Sequence, residues 1–350
     1  MPQKQDLKAL FPDQLKQVVA DLGEPGFRAS QIEQWLWQKG ACSFDEMTNL
    51  SKELRGKLEA SYRLDIPRLI EKQMSADGTR KYLFELYDGI TVETVGIPSS
   101  DERRLTVCFS TQAGCAMGCV FCATGRGGFA RNLSIGEMFD QVRLVGEDFE
   151  RRVSNVVAMG QGEPFNNYDA CLQALRLMNS SQGLNIGSRH ITVSTCGIID
   201  QIDRFSHEPE QFTLAVSLHS AIQETRNQLM PGVRKYPLPQ LKEAIKLYGD
   251  TTKRRPTFEY AAIAGFNDDD AHIDALIEFC HGVLCHVNLI PLNPIDKDSP
   301  NAYLEPSPRL NEIQHELSRH GIEVSIRNSR GGDIDGACGQ LSQKHRSQLK

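Results

Sequence analysis

Cys115, Cys119 and Cys122 stand four and three residues apart in a short glycine-rich stretch, Thr111 to Gly125. Thiolates so spaced can hold metal. A tetrahedral zinc or an ordinary iron–sulfur cluster takes four protein ligands, and the local count stops at three. A 4Fe–4S cluster gripped by three thiolates keeps one iron open. That iron can chelate the amino and carboxylate groups of a methionine-like ligand. Two blander readings compete: zinc completed by a distant His or Cys, and three buried structural thiols. Buried thiols have no reason to keep this spacing.

Other residues carry chemistry only in company. Gly160 to Pro164 reads GQGEP, where the glycines allow close backbone approach to a small ligand and Glu163 can accept from an amine or ribose hydroxyls. Ser194 and Thr195, Ser217 to His219, and Asn293 are polar groups that each close an apolar run. Cys108 lies seven residues before Cys115, and Cys338 sits in the glycine-rich stretch Arg330 to Leu341. For Cys338, a packed loop thiol and a thiol that must move read equally well. Cys42, Cys171, Cys196, Cys280 and Cys285 read as packing or incidental. Glu93, among β-branched neighbours, reads from pattern alone as a solvent-facing strand carboxylate.

The elements that must position these residues follow from periodicity. Residues 1–64 read as a small helical domain: Leu7 to Leu22 at a 3.6-residue period, a second helix from Arg28 ending at Gly40, and a third begun by a capping box at Ser43–Glu46. Residues 65–98 switch to a two-residue period, with hairpin signals at Asp77-Gly78 and Asp88-Gly89, and form a short β extension. From 99 to 345 strands alternate with helices, one of them opened by a capping box at Ser134–Glu137. That alternation implies a parallel sheet with right-handed crossovers. The fold class is therefore α/β, a partial (β/α)6 barrel of the TIM type, with functional residues at the carboxyl ends of its strands. The three-cysteine loop and every polar cluster named above, Cys338 apart, fall at such ends.

Composition bounds the rest. The chain of 350 residues is 40% hydrophobic and 24% charged, enough for one large α/β domain and an accessory one. Ten cysteines make no disulfide scaffold, and neither a secretory signal nor an apolar run of roughly 20 residues appears. A reducing cytoplasm is expected, with no membrane association. A net charge of −6 argues against a generically basic nucleic-acid binder. Local basic groups (Arg103-Arg104, Arg126 with Arg131, Lys253 to Arg255, Lys344 to Arg346) read either as solvated surface or as RNA contacts.

The spacing of the three cysteines, with Phe121 before the third, resembles the signature of radical S-adenosylmethionine (SAM) enzymes. The likeness is closer still over Glu93–Pro98, Cys108–Ser134, Gly160–Asn167, Ser194–Gly197, Ser217–His219 and Asp333–Leu341. These resemble the RlmN/Cfr family of radical SAM RNA adenine methyltransferases, and the likeness extends over nearly the whole chain. The resemblance implies that Cys115, Cys119 and Cys122 hold one 4Fe–4S cluster. It implies that Gly162, Glu163, Ser194, Ser217, Leu218, His219 and Asn293 contact SAM, two molecules per turnover. Cys338 matches a cysteine that becomes S-methylated, Cys108 a resolving cysteine that forms a transient disulfide with it, and Glu93 a proton acceptor, against the solvent-facing reading. Adenine C2 is too inert for direct transfer from a sulfonium, so a cysteine methyl activated as a radical carries the carbon. The implied substrates are adenine 2503 of 23S rRNA and adenosine 37 of tRNAs. The implied partners are an electron donor such as flavodoxin or ferredoxin, with the chain acting as a monomer. Two departures bear on this: Gln161 stands where the family has Met, and Pro164 matches the RlmN branch rather than the Cfr branch, favouring C2 over C8 methylation. C8 methylation, bringing antibiotic resistance, and a paralogue with another RNA substrate are the alternatives.

Overall fold

The computed structural model describes residues 4–293, 301, 303–327, 330–334 and 339–341. Two short strands, β1 (Gln5–Asp6) and β2 (Tyr62–Arg63), pair in parallel and bracket the amino-terminal helices. The main sheet runs through β3 (Arg68–Met74), β4 (Arg80–Glu85), β5 (Thr91–Pro98) and β6 (Leu105–Cys108), then skips a small ribbon of β7 (Gln112–Gly114) and β8 (Phe129–Asn132). It continues through β9 (Asn155–Ala158), β10 (Ile191–Thr195), β11 (Thr213–Ser217), β12 (Thr257–Ala262), β13 (His286–Pro291) and β14 (Glu323–Ile326). Within the main sheet every pairing from β6 through β14 is parallel, with β6 directly beside β9. The strand–helix alternation thus builds the expected partial barrel.

The β extension is not a separate ribbon. β5 pairs antiparallel with β6, Val95 opposite Cys108, so β3–β5 widen the barrel sheet itself. Their alternation is imperfect because both faces are covered: Tyr82, Leu83 and Phe84 are all buried.

The amino-terminal helices Pro12–Asp21, Phe27–Glu33 and Lys52–Ser61 share one hydrophobic core with the barrel, and the turn Leu7–Ala9 and the segment Gln34–Gln38 meet the barrel helix Ile135–Asp148. Trp37 meets Phe139 edge to face at 5.1 Å. Lys8 and Asp140, both without solvent exposure, form an ion pair across this seam. The second helix ends in a wide turn over Gln34–Gln38, and Gly40 takes a left-handed conformation as expected of its terminator. The third helix starts later than the sequence suggests. Ser43 and Glu46 do bond side chain to side chain, at 3.1 Å, but they close only a single turn over Phe44–Glu46. Ser51 is the cap, its hydroxyl accepting from the Leu54 amide.

At Ser134 the expected capping box is complete: its hydroxyl accepts from the Glu137 amide and the Glu137 carboxylate accepts from the Ser134 amide. Ser134→Ala should cost about 1 kcal/mol, read as a lower urea midpoint. This helix carries Asp140 and Gln141, so its start fixes both the seam and, as follows, the site.

Candidate active site

Six of the seven parallel strands contribute their carboxyl ends to one cavity of about 290 Å³. The cluster loop leaves β6 through Phe109 and Ser110, passes β7, and returns through β8. Gly114, at a φ of 81°, lies so close to the Gly128 carbonyl that any Cβ would collide with it. The Cys115 amide donates to that same carbonyl at 2.8 Å. The loop is tied from the other side as well: Val120 donates to Leu229, and Gly232 donates to Met117. Cys115, Cys119 and Cys122 all line the cavity. Burial pushes the Cys115 thiol up to about 12 and the Cys122 thiol upward, so binding metal there must release protons.

Glu163 is buried, and burial raises its carboxyl. Its two oxygens accept from the amides of Phe165 and Cys196, at 3.0 and 2.6 Å. It therefore braces the tips of β9 and β10 together, with further lone pairs left for a ligand. Gly162 stands at φ 105°, and a Cβ there would come within 2.5 Å of the Gln112 side chain. Gly162→Ala should therefore displace the strand-end loop and cost about 1–3 kcal/mol of stability, read by urea denaturation of the metal-free chain.

His219 holds a left-handed backbone (φ 53°), a strained conformation for a residue with a Cβ. Asn267 fixes it by donating to its carbonyl, and the Ala261 amide donates to its Nδ1 at 2.9 Å. Burial pulls its pKa down to about 3, so the ring is neutral and Nε2–H is the donor. Phe121 packs edge-on against it at 4.7 Å. Ser194, Ser217 and Asn293 line the same cavity. Leu218 does not: it is buried in the main core, and its amide donates to the Glu259 carbonyl.

Glu93 corrects the solvent-facing reading. It lies on β5 at 2% exposure, 2.9 Å from the buried ammonium of Lys81. The Gly339 amide donates to the same carboxylate at 2.6 Å. Cys338 falls outside the described residues, but its neighbours on the carboxyl side reach the site. Gly339 has no room for a Cβ against Thr124, and Gln340 lines the cavity. Earlier in that segment, Gly331 and Asp333 hydrogen-bond Asp77, Ser75 and Ala76 in the β3–β4 turn. The β extension thus carries Glu93 and anchors the carboxyl-terminal segment. Cys108 ends β6, its thiol raised to about 11 by burial against the opposing pull of Arg327 and Lys81.

A polar network under the cluster loop joins these parts. The Ser110 hydroxyl donates to the Glu93 carbonyl at 2.6 Å and accepts from the Gln161 amide at 2.9 Å. Gln141 in turn accepts from Thr94 and the Ser110 amide. Gln161 itself is buried, and among the described residues its side-chain oxygen has no hydrogen-bond partner. An orphaned buried acceptor costs about 1–3 kcal/mol. Gln161→Met should therefore raise the stability of the metal-free chain by about 1 kcal/mol, read by urea denaturation.

Four residues here escaped the sequence reading. Cys196, there taken as incidental, lines the cavity with the three cysteines, and its amide donates to Glu163 at 2.6 Å. Glu259 and Arg327 line it too. A single carboxylate inside the otherwise apolar run Phe258 to Ile263 was the available signal for Glu259. Arg226 lies behind the wall, wholly buried, with Nη2 donating to the Cys196 carbonyl at 2.6 Å. Among the described residues its Nε and Nη1 are buried without a partner.

Among the described residues, no group of three or more His, Cys, Asp or Glu side chains is arranged to hold a metal ion. The fit to a larger anionic cluster rests on three thiols sharing one cavity and on orphaned cationic donors behind it. Among the described residues, no helix is long and apolar enough to cross a membrane.

Comparison with known proteins agrees with this construction. Residues 5–64 match the family model of the ribosomal RNA large subunit methyltransferase N-terminal domain, and residues 109–280 that of the radical SAM superfamily. The superfamily implies a 4Fe–4S cluster and SAM. A relative in Geobacillus thermodenitrificans, named "Probable dual-specificity RNA methyltransferase RlmN", is 46% identical over 97% of this chain and 93% of its own. One of the same name in Bacillus subtilis is 46% identical over 95% and 92%. The crystal structure of a radical SAM methyltransferase from Sphaerobacter thermophilus superposes with a TM-score of 0.87 at 43% identity, covering 96% of this chain and 98% of that one. The chain belongs to the RlmN family of radical SAM RNA methyltransferases.

Proposed function

We propose that this chain methylates C2 of adenine 2503 in 23S rRNA and of adenosine 37 in tRNAs, using Cys338 as the methyl carrier. The observation that carries the reading is the position of Glu93. It is a buried carboxylate held by Lys81 and by Gly339, the residue next to Cys338, on the strand beside Cys108. The RlmN name shared by the 46%-identical relatives supports C2 as the target, as does Pro164.

Cys115, Cys119 and Cys122 hold one 4Fe–4S cluster per chain. When bound, it supplies the electron that opens SAM. Gly162, Glu163, Ser194, Ser217, His219 and Asn293 seat SAM against it, with Leu218 acting through its backbone. Cys338 takes the methyl group of a first SAM by thiolate attack, and a second SAM is spent in activating it. Glu93 accepts the proton that leaves adenine C2. The Cys108 thiolate then attacks the Cys338 sulfur, freeing the methylated base and forming a disulfide that a reductant must open. The target base has to leave its stack to enter, which costs a few kcal/mol unless it already lies in a loop. Residues 1–64 form the RNA-docking domain, 65–98 the β extension and 99–345 the catalytic domain. The enzyme works as a cytoplasmic monomer with a flavodoxin or ferredoxin as electron donor.

Mass spectrometry of rRNA and tRNA from a host with and without this protein tests the proposal. A methyl group on C2 is expected; one on C8, or none, contradicts it. Cys338→Ala should abolish methylation while leaving SAM cleavage by the reduced protein intact.

A further inference from the structure

We infer that Arg226 is the buried counter-charge of the iron–sulfur cluster and sets its reduction potential. The inference rests on the cluster assignment above and adds a residue to it. Arg226 sits on the short helix Gln223–Leu229, with no solvent exposure. Its Nη2 donates to the Cys196 and Ser217 carbonyls, at 2.6 and 3.5 Å, bracing the ends of β10 and β11. A neutral donor could do that much. A guanidinium brings a full charge and five N–H groups, and here Nε and Nη1 are buried without a partner among the described residues.

A buried cation lacking an anion is costly, so its retention calls for a negative charge nearby. Arg226 stands against the wall of the cavity that the three cysteines line: the carbonyl it holds belongs to Cys196, which lines that cavity with Cys115, Cys119 and Cys122, and Leu229 at the end of its helix accepts from the Val120 amide of the cysteine loop. Arg226 does not line the cavity, so it does not compete for SAM. A fixed positive charge behind the cluster stabilises the reduced, more negative form, raising the potential. It also offsets the charge of the thiolates that bind the iron.

Potentiometric titration of the reconstituted protein, followed by electron paramagnetic resonance, tests this in wild type, Arg226→Met and Arg226→Lys. Arg226→Met should hold the same iron per chain and bind SAM as wild type does. Its cluster should be at least tenfold less reduced at a fixed potential, about 59 mV for one electron. Arg226→Lys, which restores the charge, should recover most of the shift. The metal-free chain supplies the opposing sign: with the unpaired cation gone, Arg226→Met should unfold at the same or higher urea concentration. An unchanged potential in Arg226→Met overturns the inference, as does a metal-free variant that is markedly destabilised, since Arg226 would then be a structural brace. Wild-type protein that took up no cluster would instead sink the cluster assignment itself, a distinguishable failure.

Discussion

Cys108→Ala is expected to end catalysis after at most one RNA per chain, with that RNA left covalently joined to the protein. In the proposed sequence, the methyl carbon bridges adenine and the Cys338 sulfur until another thiolate displaces it. Cys108 is suited to the task by position. It closes β6, opposite Val95, two residues along β5 from Glu93. Burial holds its thiol near 11, which keeps it protonated and inert at neutral pH. Arg327 and Lys81 favour the thiolate once a base takes the proton. Alanine removes the nucleophile and leaves the steps before it untouched. A denaturing gel of enzyme incubated with labelled RNA should show a shifted covalent band for Cys108→Ala and none for wild type. Cys42→Ala, at an exposed thiol far from the cavity lining, should turn over normally. Free methylated RNA released at the wild-type rate by Cys108→Ala would remove Cys108 from the mechanism.

Lys8→Ala should lower stability by about 3 kcal/mol, the lower end of the range for breaking a buried ion pair. Lys8 and Asp140 are both fully buried, so losing the ammonium leaves a carboxylate in a low-dielectric seam. Arg143 still holds Asp140 at 2.9 Å, which keeps the loss from being larger. Urea denaturation of the metal-free chain measures this. A change under 1 kcal/mol would mean that the amino-terminal helices do not depend on this pair.

How much of this was legible in the sequence depended on distance along the chain. The strand–helix alternation was legible because each element carries its own period. The cap at Ser134 was legible because its four residues hold the whole interaction. The similar pattern at Ser43 misled, because a capping box records a bond and not whether the backbone continues; here Met47 to Leu50 turns the chain first. Glu93 was opaque to its own strand. Its partner Lys81 lies on β4 opposite Val95, diagonal to Glu93, and only the pairing register shows two charges meeting inside. Cys196 and Arg226 were hidden for the same reason, each acquiring its meaning from loops brought in by other strands. The resemblance supplied roles for Cys108, Glu93 and Cys338 that no local pattern could.

The bond between the Gly339 amide and Glu93 joins residues 246 positions apart. The whole parallel part of the sheet lies between them in the chain, so this bond closes a loop that spans the barrel. Any strain that shifts the barrel's last strand against its antiparallel edge is therefore felt at the Glu93 carboxylate, and the acid reports on the integrity of the entire sheet.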